Sequence, residues 1–118
     1  MGREPSSLPG GGLVVRRQEL DSRVVLTLTG SLELEAVEEL AACADQICRS
    51  TIRAAVFDVA AVTVVDDAGA RTLAAACGCL AAHGVEAEVR GIGGQFRAVL
   101  DRLDLTLPEL QAGAVLDR

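Results

Sequence analysis

Two carboxylates and a glycine follow an apolar run and precede a helical one in residues 62–71, VTVVDDAGAR. Asp66 stands where the helix begins, and an aspartate there accepts hydrogen bonds from the free backbone N–H groups of the first turn. Gly69 removes a Cβ from that turn, which lets a partner's backbone or an anion approach the helix N-terminus. We predict a docking or anion-sensitive corner here. No nucleophile, base and oxyanion donors assemble from the sequence, so we predict no reaction.

A second glycine-rich turn, residues 91–94 (GIGG), also precedes a helical segment. Such a loop can hold a phosphate at a helix N-terminus. However, no Lys-Ser or Lys-Thr follows it as in a P-loop, and it does not complete the dinucleotide-binding fingerprint. We therefore interpret it as a tight connection between a strand and a helix. His83 with Gly84 fits a helix end, and without a partner nearby in the sequence it is not a candidate for catalysis.

Four cysteines, Cys43, Cys48, Cys77 and Cys79, are the remaining residues with reactive side chains. Neither pair has the CxxC spacing, and neither spacing places two thiolates on one face of a helix. Proteins of the cytosol seldom hold structural disulfides. We therefore interpret the cysteines as small residues packed in or near the core, and we predict no metal site and no cofactor.

Composition excludes several classes of protein. The net charge of −6, with all eleven basic residues arginine, argues against a nucleic-acid binder, which would carry a clustered basic surface. Half of the 118 residues are apolar, yet no run reaches the roughly 18–20 residues that cross a bilayer, so we expect no membrane insertion. The N-terminus has no signal-peptide core, and we expect a cytoplasmic protein.

Periodic apolar patterns divide the chain into successive elements. Residues 1–12 are rich in Pro, Gly and Ser and predict a disordered arm, and residues 13–118 predict a single domain. Strands are predicted at residues 13–20, 23–29, 53–59 and 85–90, of which the first two form a hairpin and the second ends at Gly30. Helices are predicted at residues 31–50, 67–83 and 95–103.

A capping box from Thr106 to Glu109 predicts a further short helix, packed down by Leu110 and Leu116. The predicted order β-β-α-β-α-β-α-α gives an α/β fold, with a small mixed sheet of about four strands and helices packed on it. Right-handed crossovers place residues 66–69 and 91–94 at one edge of that sheet, beyond the carboxyl ends of their strands. Residues 30–33 are expected to border the same edge.

These features together resemble the STAS domain, a family named for sulfate transporters and anti-sigma-factor antagonists. The likeness rests on the order of elements, on the turn GSLE at residues 30–33, and on FDV at 57–59 followed by VVDDAG at 64–69 and a helix. The segment RAVLDRL at residues 97–103 is similar to the last helix of the family. The resemblance extends from about Leu13 to Leu105 and implies the STAS fold.

The resemblance implies a protein-binding regulatory module that is not an enzyme. In the free-standing antagonists an Asp-Ser-Ser-Gly-like motif opens the second helix, and its second hydroxyl is phosphorylated by a kinase-type anti-sigma factor. The unmodified antagonist binds that factor and releases sigma, whereas the phosphate prevents binding by adding about −1.5 to −2 charges. By position, the partner-binding residues here are Ser31, Glu33, Asp66, Asp67, Ala68, Gly69 and Thr72.

This chain departs from the motif, because Asp67 and Ala68 stand where the two hydroxyl residues would be. Ala68 has no oxygen to phosphorylate, so the usual switch is in doubt. Either the protein is a constitutively unmodified antagonist, or Asp67 adds a permanent negative charge to the interface. The nearby hydroxyls of Thr63 and Thr72 are interpreted as structural.

The same departure supports an alternative function. Some STAS domains are small cytosolic subunits of phospholipid-transport ABC complexes, where the motif often has Ala before Gly, as in Ala68-Gly69. Such a subunit would dock on a transporter ATPase through the same edge. The alternative partner is therefore an ATPase in place of an anti-sigma factor.

Overall fold

In a computed structural model that describes residues 12–109, four strands form one mixed sheet in the order β1-β2-β3-β4. The predicted α/β fold is thereby confirmed. The strands are β1 Leu13–Leu20, β2 Arg23–Leu32, β3 Ala54–Val65 and β4 Glu86–Arg90. The helices are α1 Val37–Cys48, α2 Asp67–Ala82 and α3 Gly94–Leu103, with a 3-10 turn at Leu34–Ala36 before α1.

The predicted hairpin begins the sheet. β1 and β2 pair antiparallel from Leu13 opposite Gly30 to Leu20 opposite Arg23, which leaves two residues in the turn. Asp21 has a φ of 58°, a left-handed conformation that aspartate tolerates better than most residues. β2, β3 and β4 then pair in parallel, so α1 and α2 are the crossovers that connect them.

One apolar core joins the sheet to all three helices. It contains Leu26 and Phe57 from the sheet, Leu40 from α1, Leu73 from α2 and Phe96 from α3, each of them buried. Because the chain has only two phenylalanines and no Trp or Tyr, the core is filled mainly by Leu, Val, Ile and Ala. Within residues 12–109, none of the helices combines the length and apolar character that a bilayer crossing requires.

Two strands are longer than the sequence predicts. β2 does not end at Gly30 but continues to Leu32, and β3 continues past residue 59 to Val65. The pairing survives because the register shifts twice, between Thr27 and Thr29 and again after Gly30, whose φ of 104° suits such an irregularity. Since residues 31 and 32 belong to β2, the helix predicted at 31–50 begins as a 3-10 turn and becomes α1 only at residue 37.

The predicted capping box at Thr106 is wrong. Residues 105–108 are not helical, and Glu109 forms a parallel bridge with Val89 of β4, whose N–H donates to the carbonyl of Pro108 at 2.8 Å. The Glu109 carboxylate accepts two hydrogen bonds from Arg97 of α3, at 2.5 and 2.6 Å. Both carboxylate oxygens of Glu109 are therefore used in a contact with α3. Residues 1–11, in the predicted arm, and Leu110 and Leu116 lie outside the described residues.

Candidate functional site

The Asp66 carboxylate lies between the beginnings of two helical segments. One of its oxygens accepts a hydrogen bond from the Gly69 N–H at 2.7 Å, which confirms Asp66 as the N-cap of α2. The other oxygen accepts from the Leu34 N–H at 3.1 Å, at the 3-10 turn before α1. Both oxygens are therefore used within the fold. Asp66 positions the corner, and its carboxylate is already occupied by backbone donors.

Gly69 is buried because another part of the backbone passes against it. A Cβ at this position would overlap the carbonyl group of Leu32, at the end of β2. The space that the sequence assigned to a partner or an anion is thus filled by the chain's own strand. The glycine is required for close packing of α2 against β2, and not for access from outside.

Asp67 forms an ion pair with Arg102 of α3. The guanidinium donates two hydrogen bonds to the carboxylate, at 2.7 and 3.1 Å, and the two side chains are 58% and 49% exposed for Arg102 and Asp67. Hydrogen bonding from Arg102 lowers the pKa of Asp67 below its ordinary value, and the charge of Arg71 contributes to the same shift. Asp67 is charged at neutral pH, and the guanidinium of Arg102 on α3 compensates that charge.

The remaining predicted residues lie around this ion pair. Ala68 is half-buried in the first turn of α2, and Thr72 is half-buried one turn later. Ser31 of β2 is half-buried and pairs with Val64 of β3. Glu33 is half-buried at the N-cap of the 3-10 turn, and its carbonyl accepts from the Ala36 N–H at 2.8 Å. Sequence and fold therefore place all seven predicted residues at one end of the helices.

The structure adds three residues that the sequence did not indicate. Leu34 is 66% exposed and Val64 is 39% exposed, and they flank Asp66. Arg102 is the third, since it binds Asp67 from a helix 35 residues away. We call the accessible residues around Asp66 the corner surface: Glu33, Leu34, Val64, Asp67, Ala68, Thr72 and Arg102.

The two threonines differ in their contacts. The Thr63 hydroxyl is exposed and donates to the carbonyl of Gly30 at 3.2 Å, which links β3 to β2 beyond the register shift. This contact agrees with a structural role for Thr63. Thr72 lies on α2, on the same side of the helix as Ala68 by its spacing of four residues.

The glycine-rich turn at residues 91–94 borders the end of β3, at the edge where the sequence placed it. Val59, Thr63 and Val65 line one side of a shallow depression, and Gly91 and Phe96 line the other. Gly91 has a φ of 84°, and a Cβ there would crowd Ala60. This turn is a tight connection into α3, as predicted.

Comparison with known proteins identifies the family. The STAS domain family model matches residues 14–108, so the chain belongs to the STAS domain family. No sequence among the curated proteins matches this chain.

Solved structures with the same fold include several anti-sigma-factor antagonists. An antagonist from Mycobacterium paratuberculosis has a TM-score of 0.73 at 20% identity, over 92% of this chain and 94% of that chain. SpoIIAA in its unphosphorylated form has a TM-score of 0.67 at 16% identity, over 89% and 96%. Bacillus SpoIIAA in its phosphorylated form has a TM-score of 0.65 at 15% identity, over 89% and 98%. These identities establish the shared fold.

The close packing at Gly69 predicts that alanine changes the free energy of unfolding in opposite directions at two glycines of α2. Gly69→Ala inserts a methyl group into the Leu32 carbonyl and is expected to lower the free energy of unfolding by about 1–3 kcal/mol or more. Gly78→Ala is the matched control, because that position on α2 is exposed and open. Alanine there should raise the free energy of unfolding by about 0.5–1 kcal/mol. Urea unfolding monitored by circular dichroism measures both. Equal effects of the two variants would contradict this packing.

The ion pair at Asp67 predicts a specific pH dependence. The pKa of Asp67 is lower in the folded protein than in the unfolded chain, so the pair stabilises the fold at neutral pH. This stabilisation is lost as the pH falls through the folded-state pKa. In Arg102→Met the pKa of Asp67 should rise toward its ordinary value, measured by carbon NMR titration of the carboxyl group. Arg71→Met should produce a smaller rise, and a rise equal to or larger than that of Arg102→Met would show that the pair is misassigned.

Proposed function

We propose that this chain is a protein-binding regulatory module that acts as an anti-sigma-factor antagonist. It docks through the corner surface on a kinase-type anti-sigma factor and so releases sigma. The observation that carries the proposal is the exposure of Leu34 and Val64 beside the first turn of α2. Apolar side chains exposed on a surface rimmed by polar groups are typical of protein interaction sites. Structures of this fold described as anti-sigma-factor antagonists support the same choice of partner.

The electrostatics of the corner surface suit a protein partner better than an anion. Asp66 has both carboxylate oxygens on backbone N–H groups, and Asp67 is paired with Arg102. The corner surface therefore combines compensated polar groups with exposed apolar side chains, as protein interfaces do. The net charge of −6 likewise disfavours nucleic acid as the partner. We place the protein in the cytoplasm as part of the same proposal.

Docking by this chain is not switched at Ala68. SpoIIAA has been solved in both an unphosphorylated and a phosphorylated form, so that protein can carry a phosphate. Ala68 has a methyl group where the resemblance puts the phosphoacceptor, and it takes no phosphate. Asp67 is a poor substitute for a phosphate, because it has about half the charge and Arg102 already compensates it. Because Ala68 cannot be phosphorylated, this position leaves the chain in the form that docks.

A second candidate function uses the same surface. A small STAS subunit of a phospholipid-transport ABC complex would dock on a transporter ATPase. The Ala68-Gly69 pair favours it, since the resemblance to such subunits rests on Ala before Gly in the motif. A sulfate transporter family protein from Wolinella succinogenes also shares the fold, with a TM-score of 0.61 at 17% identity over 70% of this chain and 67% of that chain.

A charge placed at Ala68 tests the docking surface. Ala68→Asp should weaken partner binding at least tenfold, about 1.4 kcal/mol, because it adds a carboxylate to the centre of the interface. The fold should tolerate it, since acidic residues are favourable in a first helical turn. The control is Ala81→Asp, an exposed position near the other end of α2. Affinity capture from the host with tagged wild type and both variants, followed by mass spectrometry and calorimetry, makes the measurement.

The identity of the captured protein separates the two candidates. An anti-sigma factor that is retained by wild type and Ala81→Asp, and lost by Ala68→Asp, supports the antagonist. Recovery of a transporter ATPase with its permease assigns the chain to the second candidate. Equal capture by Ala68→Asp and wild type means that the corner surface is not the docking site.

Restoring the hydroxyl tests the loss of the switch. With ATP and the captured anti-sigma factor, wild type should remain unlabelled, while Ala68→Ser should take up phosphate and then dissociate from that factor. Phosphate-affinity electrophoresis and peptide mass spectrometry detect the label. Labelling of wild type at Thr63 or Thr72 would overturn the unswitched mechanism, because a second acceptor would then serve the same purpose.

A further inference from the structure

Three metal-ligating side chains meet where α1 and α2 end. The Sγ atom of Cys48, the last residue of α1, lies 3.9 Å from the Sγ atom of Cys79 in the last turn of α2. His83 follows α2, and its Nδ1 atom lies 4.0 Å from the same Cys79 sulfur. All three donor atoms lie within 4.8 Å of one another. The sequence hides this cluster, because Cys48 and Cys79 belong to different helices.

The spacing of the two sulfurs matches a shared metal ion. Zn–S bonds of about 2.3 Å in a tetrahedral site place two thiolates roughly 3.8 Å apart, close to the 3.9 Å observed. A disulfide would require the sulfurs to close to about 2.05 Å, which is roughly 1.9 Å nearer. The arrangement therefore fits an ion between the sulfurs with less movement than it fits a covalent bond.

We propose that Cys48, Cys79 and His83 form a Zn²⁺ site with two thiolates, one imidazole and a fourth position open to water. Thiolate and imidazole are the ligands that Zn²⁺ prefers in proteins. Cys79 and His83 are exposed and Cys48 is half-buried, so the ion reaches them without opening the fold. The carboxyl ends of two helices converge here, and a helix carboxyl end favours a cation.

Binding exchanges protons for the ion. Without metal, His83 Nδ1 lies 2.9 Å from the backbone carbonyl of Cys79 and donates its proton there. For Nδ1 to serve as a ligand, the ring proton would move to Nε2 and the hydrogen bond to the Cys79 carbonyl would be given up. The two thiols release one proton each to solvent, and two thiolates then balance the charge of one Zn²⁺.

The ion would join α1 to α2 at the end of the molecule opposite the corner surface. Cys79 lies twelve residues after Asp67 on α2, which is roughly 18 Å along the helix axis. The site therefore leaves the corner surface uncovered. It also stands independently of the docking function proposed above.

Metal titration of the reduced full chain, without a histidine tag, tests the site. Calorimetry should give one Zn²⁺ per chain, and Co²⁺ as a probe should give the thiolate charge-transfer band and the visible bands of a tetrahedral site. Cys48→Ser, Cys79→Ser and His83→Gln should each weaken Zn²⁺ binding by more than about tenfold. Cys43→Ser is the matched control, a thiol on α1 outside the cluster, and should bind as wild type does.

Three results would overturn the site. The first is the absence of a thiolate-to-cobalt band in wild type that circular dichroism shows to be folded. The second is unchanged Zn²⁺ affinity in the double variant Cys48→Ser/Cys79→Ser. The third is a reduced protein that binds no Zn²⁺ and forms a Cys48–Cys79 disulfide in air, which would make the pair a redox couple.

Discussion

The corner depends on one carboxylate that serves two backbone donors at once. Asp66 caps the first turn of α2 through the Gly69 N–H and holds the Leu34 N–H, from a segment 32 residues earlier, with its other oxygen. Neither helix start can satisfy its first N–H groups internally. A single side chain therefore fixes the position of two helical segments relative to each other. The exposed Leu34 owes its place beside α2 to this arrangement.

Close backbone packing completes the constraint. The carbonyl of Leu32 lies where a Cβ of residue 69 would be, and the Asp66 N–H donates to that same carbonyl at 3.2 Å. Such proximity requires β2 and β3 to run together to the corner, which they do only because their register shifts around Gly30. The irregular pairing is thus part of how the corner surface is built. It carries Val64 to the edge, where it stays partly exposed.

Features set by neighbouring residues could be predicted from the sequence, and features set by distant ones could not. The N-cap at Asp66, the hairpin turn and the four strands follow from local patterns. The extension of β3 to Val65 depends on pairing with β2, which no local pattern reveals. The non-helical course of residues 105–109 accompanies a contact with Arg97, which engages the Glu109 that a capping box would have used. Tertiary contacts outweigh weak local preferences in such cases.

The candidate site shows the same division. Its position at the start of α2 could be inferred from residues 62–71, and the family of the chain from these residues together with the order of elements and the turn at residues 30–33. The state of Asp67 could not be inferred, because Arg102 lies on α3 and reaches it only in the folded chain. The Cys48–Cys79 contact joins two helices in the same way, across 31 residues. Spacing along one helix tests only partners on that helix, so it missed both contacts.

Under the proposed function, Ala68 and the Asp67–Arg102 pair act together on regulation. In that proposal, a module that binds when unmodified could be released by adding charge to the docking surface. This chain has no hydroxyl at that position, and its neighbouring charge is compensated in the folded state. Partner occupancy is then set by the concentrations of the two proteins and by their affinity. Control of such a module must come from its synthesis, from its partner, or from a site elsewhere on the molecule, since the first turn of α2 offers no group to modify.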